Sequence, residues 1–93
     1  MRVAIVTGAA RGIGATIAHR LAADGMSVGV VDLDEQGSTR TAKEIIENGG
    51  RATPIGADIA DEWAAIDAVQ QTVAEYGPVT VLINSAGIIR DNL

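Results

Sequence analysis

The stretch from Val3 to Ala22, VAIVTGAARGIGATIAHRLA, constrains the fold more than any other part of the chain. An aliphatic run breaks at Thr7-Gly8 into a turn carrying Gly8, Gly12 and Gly14, then resumes with Ile13, Ile17 and Leu21 four residues apart. A short apolar run bounded by glycine reads as a buried strand, and the four-residue spacing reads as a helix facing a core. The helix begins near Gly12 or Ile13 and stops at Asp24-Gly25, where glycine takes the C-terminal capping position. A strand that turns through glycines directly into a helix begins a β-α-β crossover, which commits the downstream segments to a parallel sheet.

The rest of the chain repeats the alternation. Strands are expected at Arg2 to Thr7, Ser27 to Asp32, Ala52 to Gly56 and Val79 to Asn84. The first, second and fourth are nearly continuous aliphatic runs, as parallel strands covered on both faces require. The third contains Pro54 and belongs at an edge. Helix two runs from about Glu35 to Asn48 with Ala42, Ile45 and Ile46 inward, and Gly49-Gly50 ends it. Helix three places Trp63, Ile66, Val69, Val73 and Tyr76 on one stripe, read as core rather than as ligand contact, and Gly77-Pro78 terminates it. The expected fold is α/β: a doubly wound parallel sheet with helices on both faces, cut to about four strands in the order 3-2-1-4 and three helices. Its switch point lies between strands one and four.

Composition narrows the function. At 93 residues the chain makes one small domain, burying about 60 to 65% of its unfolded surface, so stability is expected to depend on a partner chain. The residues are 47% hydrophobic but only 2% aromatic, which leaves packing to Val, Ile, Leu and Ala. With no cysteine, disulfides and thiolate metal sites are excluded and a reducing, cytoplasmic compartment is expected. A net charge of -5 without a basic cluster argues against nucleic acid and anionic membrane as partners. The first apolar run is far too short for a signal peptide or a membrane span.

An anionic ligand therefore needs local help, and the glycine turn supplies it. One glycine permits backbone angles closed to other residues, a second lets a phosphate approach the main chain, and a third lets helix pack closely on strand. Amides at the helix start, with the helix dipole, then suit a pyrophosphate. The spacing G-x-x-x-G-x-G differs from both G-x-G-x-x-G and the P-loop, and Lys43 is the only lysine, so no lysine follows the turn. A tight turn without ligand is the plainer alternative.

Asp32 ends strand two, where a carboxylate can accept from both ribose hydroxyls of an adenosine and repel a 2′-phosphate, favouring NAD over NADP. Arg11 pulls the other way, as a cation able to pair with that phosphate. Asp32 could instead be a solvated loop residue or cap helix two. Asp58, after strand three, could meet an adenine amine or cap helix three, although Asp61 is better placed to cap. Asn84 to Gly87 follow strand four and face the glycine turn, with Ala86-Gly87 letting a ribose pass close to the backbone. His19, among polar neighbours, is expected in solvent.

Thr7 to Gly14 (TGAARGIG), Asp32, the Ala57 to Ile59 stretch (ADI) and the Asn84 to Gly87 stretch (NSAG), in this order and spacing, resemble the N-terminal signatures of the short-chain dehydrogenase/reductase family. The tail AGIIRDNL most resembles bacterial 3-oxoacyl-acyl-carrier-protein reductases and their relatives. The resemblance implies a Rossmann fold, a bound NAD or NADP, and hydride transfer between nicotinamide and a ketone or secondary alcohol. It implies that Gly8, Arg11, Gly12, Ile13 and Gly14 contact the pyrophosphate or adjoining ribose, that Asp32 holds the adenosine ribose, and that Asp58 and Ile59 meet the adenine. Asn84, Ala86 and Gly87 are implied to contact the cofactor and strand four, and Thr7 to brace the turn. Ser85 departs from the asparagine or alanine common there.

Catalysis in that family uses a serine and a Tyr-x-x-x-Lys pair on later elements. Here the only tyrosine is Tyr76, and with Lys43 as the only lysine the pair is absent. The expectation is one NAD(P)-binding Rossmann half-domain over residues 1–93, truncated before the catalytic segment and inactive alone. Strand four is expected to be an exposed edge through which copies self-associate. The alternative is a non-catalytic nucleotide-binding or self-assembling module.

Overall fold

The computed structural model describes residues 2–85. In chain order the elements are β1 (Val3–Thr7), α1 (Gly12–Ala23), β2 (Ser27–Asp32), α2 (Glu35–Glu47), β3 (Arg51–Gly56), α3 (Glu62–Tyr76) and β4 (Val81–Asn84). All strand pairs are parallel and the sheet order is β3-β2-β1-β4, so β1 and β4 meet at the switch point and β3 lies at an edge. Every residue of β1 is buried, which is why its run of aliphatic residues is unbroken. β4 starts two residues later than expected. Thr80 already donates its N–H to Val3 O at 2.9 Å, while Val79 packs against the core beneath α3.

α1 and α2 cover one face of the sheet, where Val6, Val28, Val30 and Ala52 meet Ala18, Ala22, Ala42 and Ile45. α3 covers the other, where Ile5, Val31 and Ile55 meet Ala68. This alternation of faces follows from right-handed crossovers that run outward from β1 to β3 and then back to β4. α1 ends as its glycine foretells. Gly25 takes φ +97°, and the Gly25 and Met26 amides return to Ala22 O at 3.0 Å and Leu21 O at 3.1 Å.

The inward faces of the helices differ from the expectation. α1 is buried along Gly14, Ala18 and Ala22, while Ile17 and Leu21 pack at its margin and Ile13 is 68% exposed. α2 buries Gly37, Ser38, Thr41, Ala42 and Ile45, leaving Ile46 outward. On α3 the contrast is sharpest. Ala68 and Thr72 face the sheet, whereas Trp63, Ile66, Val69 and Val73 are exposed and Tyr76 is half-buried, its hydroxyl accepting from Thr53 at 2.9 Å. The physical reason is close packing: small side chains let a helix axis approach the strands, and larger residues are then displaced to the flanks. His19 is half-buried rather than free in solvent, its Nε2 lying 3.1 Å from Glu44 Oε1 between α1 and α2.

Candidate functional site

The carboxyl ends of the strands open into a cleft of about 480 Å³ lined by Gly8, Asp32, Leu33, Ala57, Asp58, Ile59, Ala60 and Asn84. Five of the sequence-derived candidates, Gly8, Asp32, Asp58, Ile59 and Asn84, thus come together from four different strand ends. Gly12 and Ile13 instead line a groove with Ile17, His19 and Glu44 on the α1–α2 side. Ala86 and Gly87 lie outside the described residues.

The turn after β1 is braced from two sides, by the ends of β4 and β2. Thr7 donates through Oγ1 to Asn84 Oδ1 at 2.8 Å, and Ser85 Oγ donates to Thr7 O, so the ends of β1 and β4 are tied together. Ala9 N donates to Val31 O at 3.1 Å. Ala10 N donates to Asp32 Oδ2 at 3.0 Å, tying the turn to the end of β2. Gly8 and Gly12 hold φ of +68° and +62°, the left-handed region that glycine enters without steric cost. At Gly14 the constraint is space, because a Cβ would run into the Gly8 carbonyl oxygen and Ser85 Oγ.

The three helix starts are treated differently. α2 is capped by Asp34, whose Oδ1 accepts from Gly37 N at 3.0 Å, and α3 by Asp61, which accepts from Trp63 N and Ala64 N. Neither Asp32 nor Asp58 has the capping role left open for it. α1 has Arg11 at its N-cap, no side-chain cap and no acidic residue in its first turn. Its first intrahelical bond is Ala15 N to Arg11 O at 3.3 Å, which leaves the preceding N–H groups and the positive end of the dipole available to an anion.

Asp32 is oriented by two amides, Ala10 N on Oδ2 and Asp34 N on Oδ1 at 2.9 Å, and its carboxylate retains further acceptor positions toward the cleft. Asp58 Oδ1 accepts from Ala60 N at 3.0 Å in a local turn and remains exposed at the cleft wall. Arg11 reaches across the mouth to Asp34, with Nη2 2.5 Å from Oδ2. The Gly37 amide and then the Arg11 guanidinium hold the Asp34 carboxyl below its usual value. Sequence reasoning missed Asp34, although an aspartate directly before a helix is an N-cap signal. It also missed Leu33, whose exposure of 74% beside Asp32 marks an apolar wall of the cleft.

Open amides, a pre-oriented carboxylate and an apolar wall can hold a ligand that joins an anionic group to a polyol and a flat ring. Tyr76 and Lys43 do not line the cleft. Among the described residues no cluster of histidine, aspartate and glutamate could hold a metal ion, and no helix is long and apolar enough to cross a membrane.

Comparison with known proteins agrees with this geometry. A sequence profile of the family described as short chain dehydrogenase matches residues 2–93. The short-chain reductase protein NovJ of Streptomyces niveus is 54% identical over 91 residues, 98% of this chain and 35% of that protein. A 3-oxoacyl-[acyl-carrier-protein] reductase of Synechocystis is 42% identical over 94 residues, 99% of this chain and 38% of the relative. The crystal structure of a dehydrogenase/reductase from Sinorhizobium meliloti 1021 superposes with a TM-score of 0.89 at 42% identity, covering 94% of this chain and 35% of that one. The chain spans about a third of the length of the curated relatives it matches.

Proposed function

The chain belongs to the short chain dehydrogenase family, and on that premise we propose that it is the dinucleotide-binding part of an NAD(P)-dependent oxidoreductase. Members of the family bind nicotinamide dinucleotides. The observation that carries the reading is the pairing of an uncapped α1 start with the Asp32 carboxylate, fixed to the same turn through Ala10. Pyrophosphate and ribose are the two parts of a dinucleotide that such groups suit.

In this reading Gly8, Arg11, Gly12, Ile13 and Gly14 surround the pyrophosphate and adjoining ribose. Asp32 accepts from the adenosine ribose hydroxyls, and Asp58 and Ile59 flank the adenine. Asn84 contacts the cofactor and strand four, and the same role is assigned to Ala86 and Gly87, which lie outside the described residues. Asp32 favours NAD over NADP by repelling a 2′-phosphate. Hydride exchange with a ketone or secondary alcohol is the chemistry that the dinucleotide supplies when bound. The similarity to the Synechocystis protein suggests a 3-oxoacyl thioester on a carrier protein as substrate class. Without the Tyr-x-x-x-Lys pair, the 93-residue chain is inactive alone. The lack of cysteine supports a cytoplasmic setting, and β4, which among the described residues pairs with β1 alone, supports self-association.

Calorimetric titration of NAD into the purified chain tests this, with Asp32→Ala as the comparison. Saturable binding that weakens in the variant, with a relative gain for NADP, is expected. Absence of binding, or an Asp32→Ala protein with unaltered preference, overturns the site assignment. Turnover of a 3-oxoacyl substrate by the chain would refute its inactivity.

A further inference from the structure

Arg11 and Asp34 lie on different elements, the first at the start of α1 and the second at the start of α2, and they meet at 2.5 Å over the turn that carries Asp32. The two oxygens of Asp34 are divided between tasks. Oδ1 caps α2 through Gly37 N, and Oδ2 takes the guanidinium of Arg11. The Asp34 amide, in turn, donates to Asp32 Oδ1. The ribose-side carboxylate, the helix cap and the cation are therefore one connected unit.

A cation beside the glycine turn is the group that a ribose 2′-phosphate needs if it is to be tolerated near Asp32. Here that cation already has a carboxylate partner. The local balance is two carboxylates against one guanidinium, with a weaker attraction on Asp34 from Arg40. We propose that Asp34 is a specificity-determining residue of this site, excluding a 2′-phosphorylated dinucleotide by occupying Arg11. The inference rests on the dinucleotide reading above and assigns preference to the pair Asp32 and Asp34 acting together. The ion pair is exposed and adds little to stability; its effect is on which ligand can recruit Arg11.

Asp34→Asn tests this, because the amide oxygen can still cap α2 while its N–H₂ offers Arg11 no acceptor. The probes are AMP and adenosine 2′,5′-bisphosphate, titrated by calorimetry into wild type, Asp34→Asn, Arg11→Met and the double variant. Asp34→Asn should raise affinity for the bisphosphate relative to AMP about tenfold, the order of one hydrogen bond to a charged group. AMP is the internal reference, because any gain of the released Arg11 at the 5′-phosphate is shared by both probes and cancels in the ratio. Adding Arg11→Met should abolish the gain. Asp34→Ser, which also keeps a capping oxygen, should reproduce it, guarding against a helix defect specific to Asn.

AMP binding with an unchanged ratio in both Asp34 variants overturns this inference alone. A gain that survives Arg11→Met overturns it as well, by assigning the effect to net charge rather than to Arg11. Failure of AMP to bind any of the proteins overturns the dinucleotide reading, and this inference with it.

Discussion

Thr72 of α3 rests directly on Gly29 of β2: a Cβ built on Gly29 would lie 2.5 Å from Thr72 Oγ1 and 3.2 Å from its Cγ2. Thr72 is fully buried and its hydroxyl donates to Ala68 O at 2.9 Å, so the side chain has no free direction in which to retreat. The contact sets how closely α3 approaches the central strands. Gly29→Ala should therefore destabilise the fold by about 1–3 kcal/mol through overpacking. Combining it with Thr72→Ala removes the clashing atoms, so the double variant should be more stable than the sum of the singles by on the order of 1 kcal/mol. Urea unfolding of the four proteins measures the coupling; strict additivity would mean that the two residues do not touch.

The two helix glycines of the turn should separate folding from binding. Gly14 has no room for a Cβ, and the obstacle is in part the Gly8 backbone oxygen, which cannot rotate away. Gly12 has nothing within 4 Å of its added Cβ but holds φ +62°. Gly12→Ala should therefore cost roughly 1–2 kcal/mol of backbone strain and leave a folded protein whose dinucleotide affinity can be measured. Gly14→Ala should be the more destabilising, by about 2 kcal/mol or more from overpacking against main chain. Equal unfolding midpoints for the two variants would contradict this.

The strands and their order are readable in the sequence because a parallel strand covered on both faces is nearly continuously apolar, as Val3 to Val6 of β1 and Val28, Val30 and Val31 of β2 are. The glycine turn was readable for a related reason, since close backbone approach has no other residue to use. The helix faces were misread on size. On α2 Ala42 and Ile45 are buried as read and Ile46 is not; on α1 and α3 Ile13, Trp63, Ile66, Val69 and Val73 have helical spacing and bulk, but Gly14, Ala18, Ala22, Ala68 and Thr72 make the close contacts. Spacing cannot distinguish two stripes on one helix when the smaller is the one that fits against β-branched strand residues. The Arg11–Asp34 pair was invisible for another reason: its partners are 23 residues apart and meet only after the crossover has formed.

Asp34 also predicts a dependence on acid. Its carboxyl is held below 3.8 in the folded chain, first by the Gly37 amide and then by Arg11. Because the folded value is depressed, the stabilisation is fully present above 3.8 and is lost as pH falls through the lower folded value. Asp34→Asn has no such proton to bind. The difference in Tm between wild type and variant, followed downward from neutral pH, should stay constant and then narrow below 3.8. Added salt should shrink the Arg11 share of it, since the pair is exposed. A difference that does not change with pH would show that the charge on Asp34 does not contribute.

β4 has β1 on one side and no further strand of the described sheet on the other, and Leu82 on it is 66% exposed. Its register with Ile5 places Leu82 on the face that α3 covers, beyond the residues that α3 buries. A strand side that is unpaired among the described residues and carries an apolar side chain can serve as a template for pairing with another copy, and a lysine there is a common means of blocking it. The self-association proposed above therefore requires that Leu82→Lys shift the sedimentation profile toward monomer, with a change in monomer stability within about 0.5 kcal/mol, as for surface substitutions generally; a wild-type chain that sediments as a monomer overturns that proposal. Ile46→Gln, which removes an exposed apolar residue from α2 on the opposite face, should leave the profile as it is. If Leu82→Lys leaves association intact while Ile46→Gln disrupts it, the contact between copies runs through the helices and not through the β4 edge.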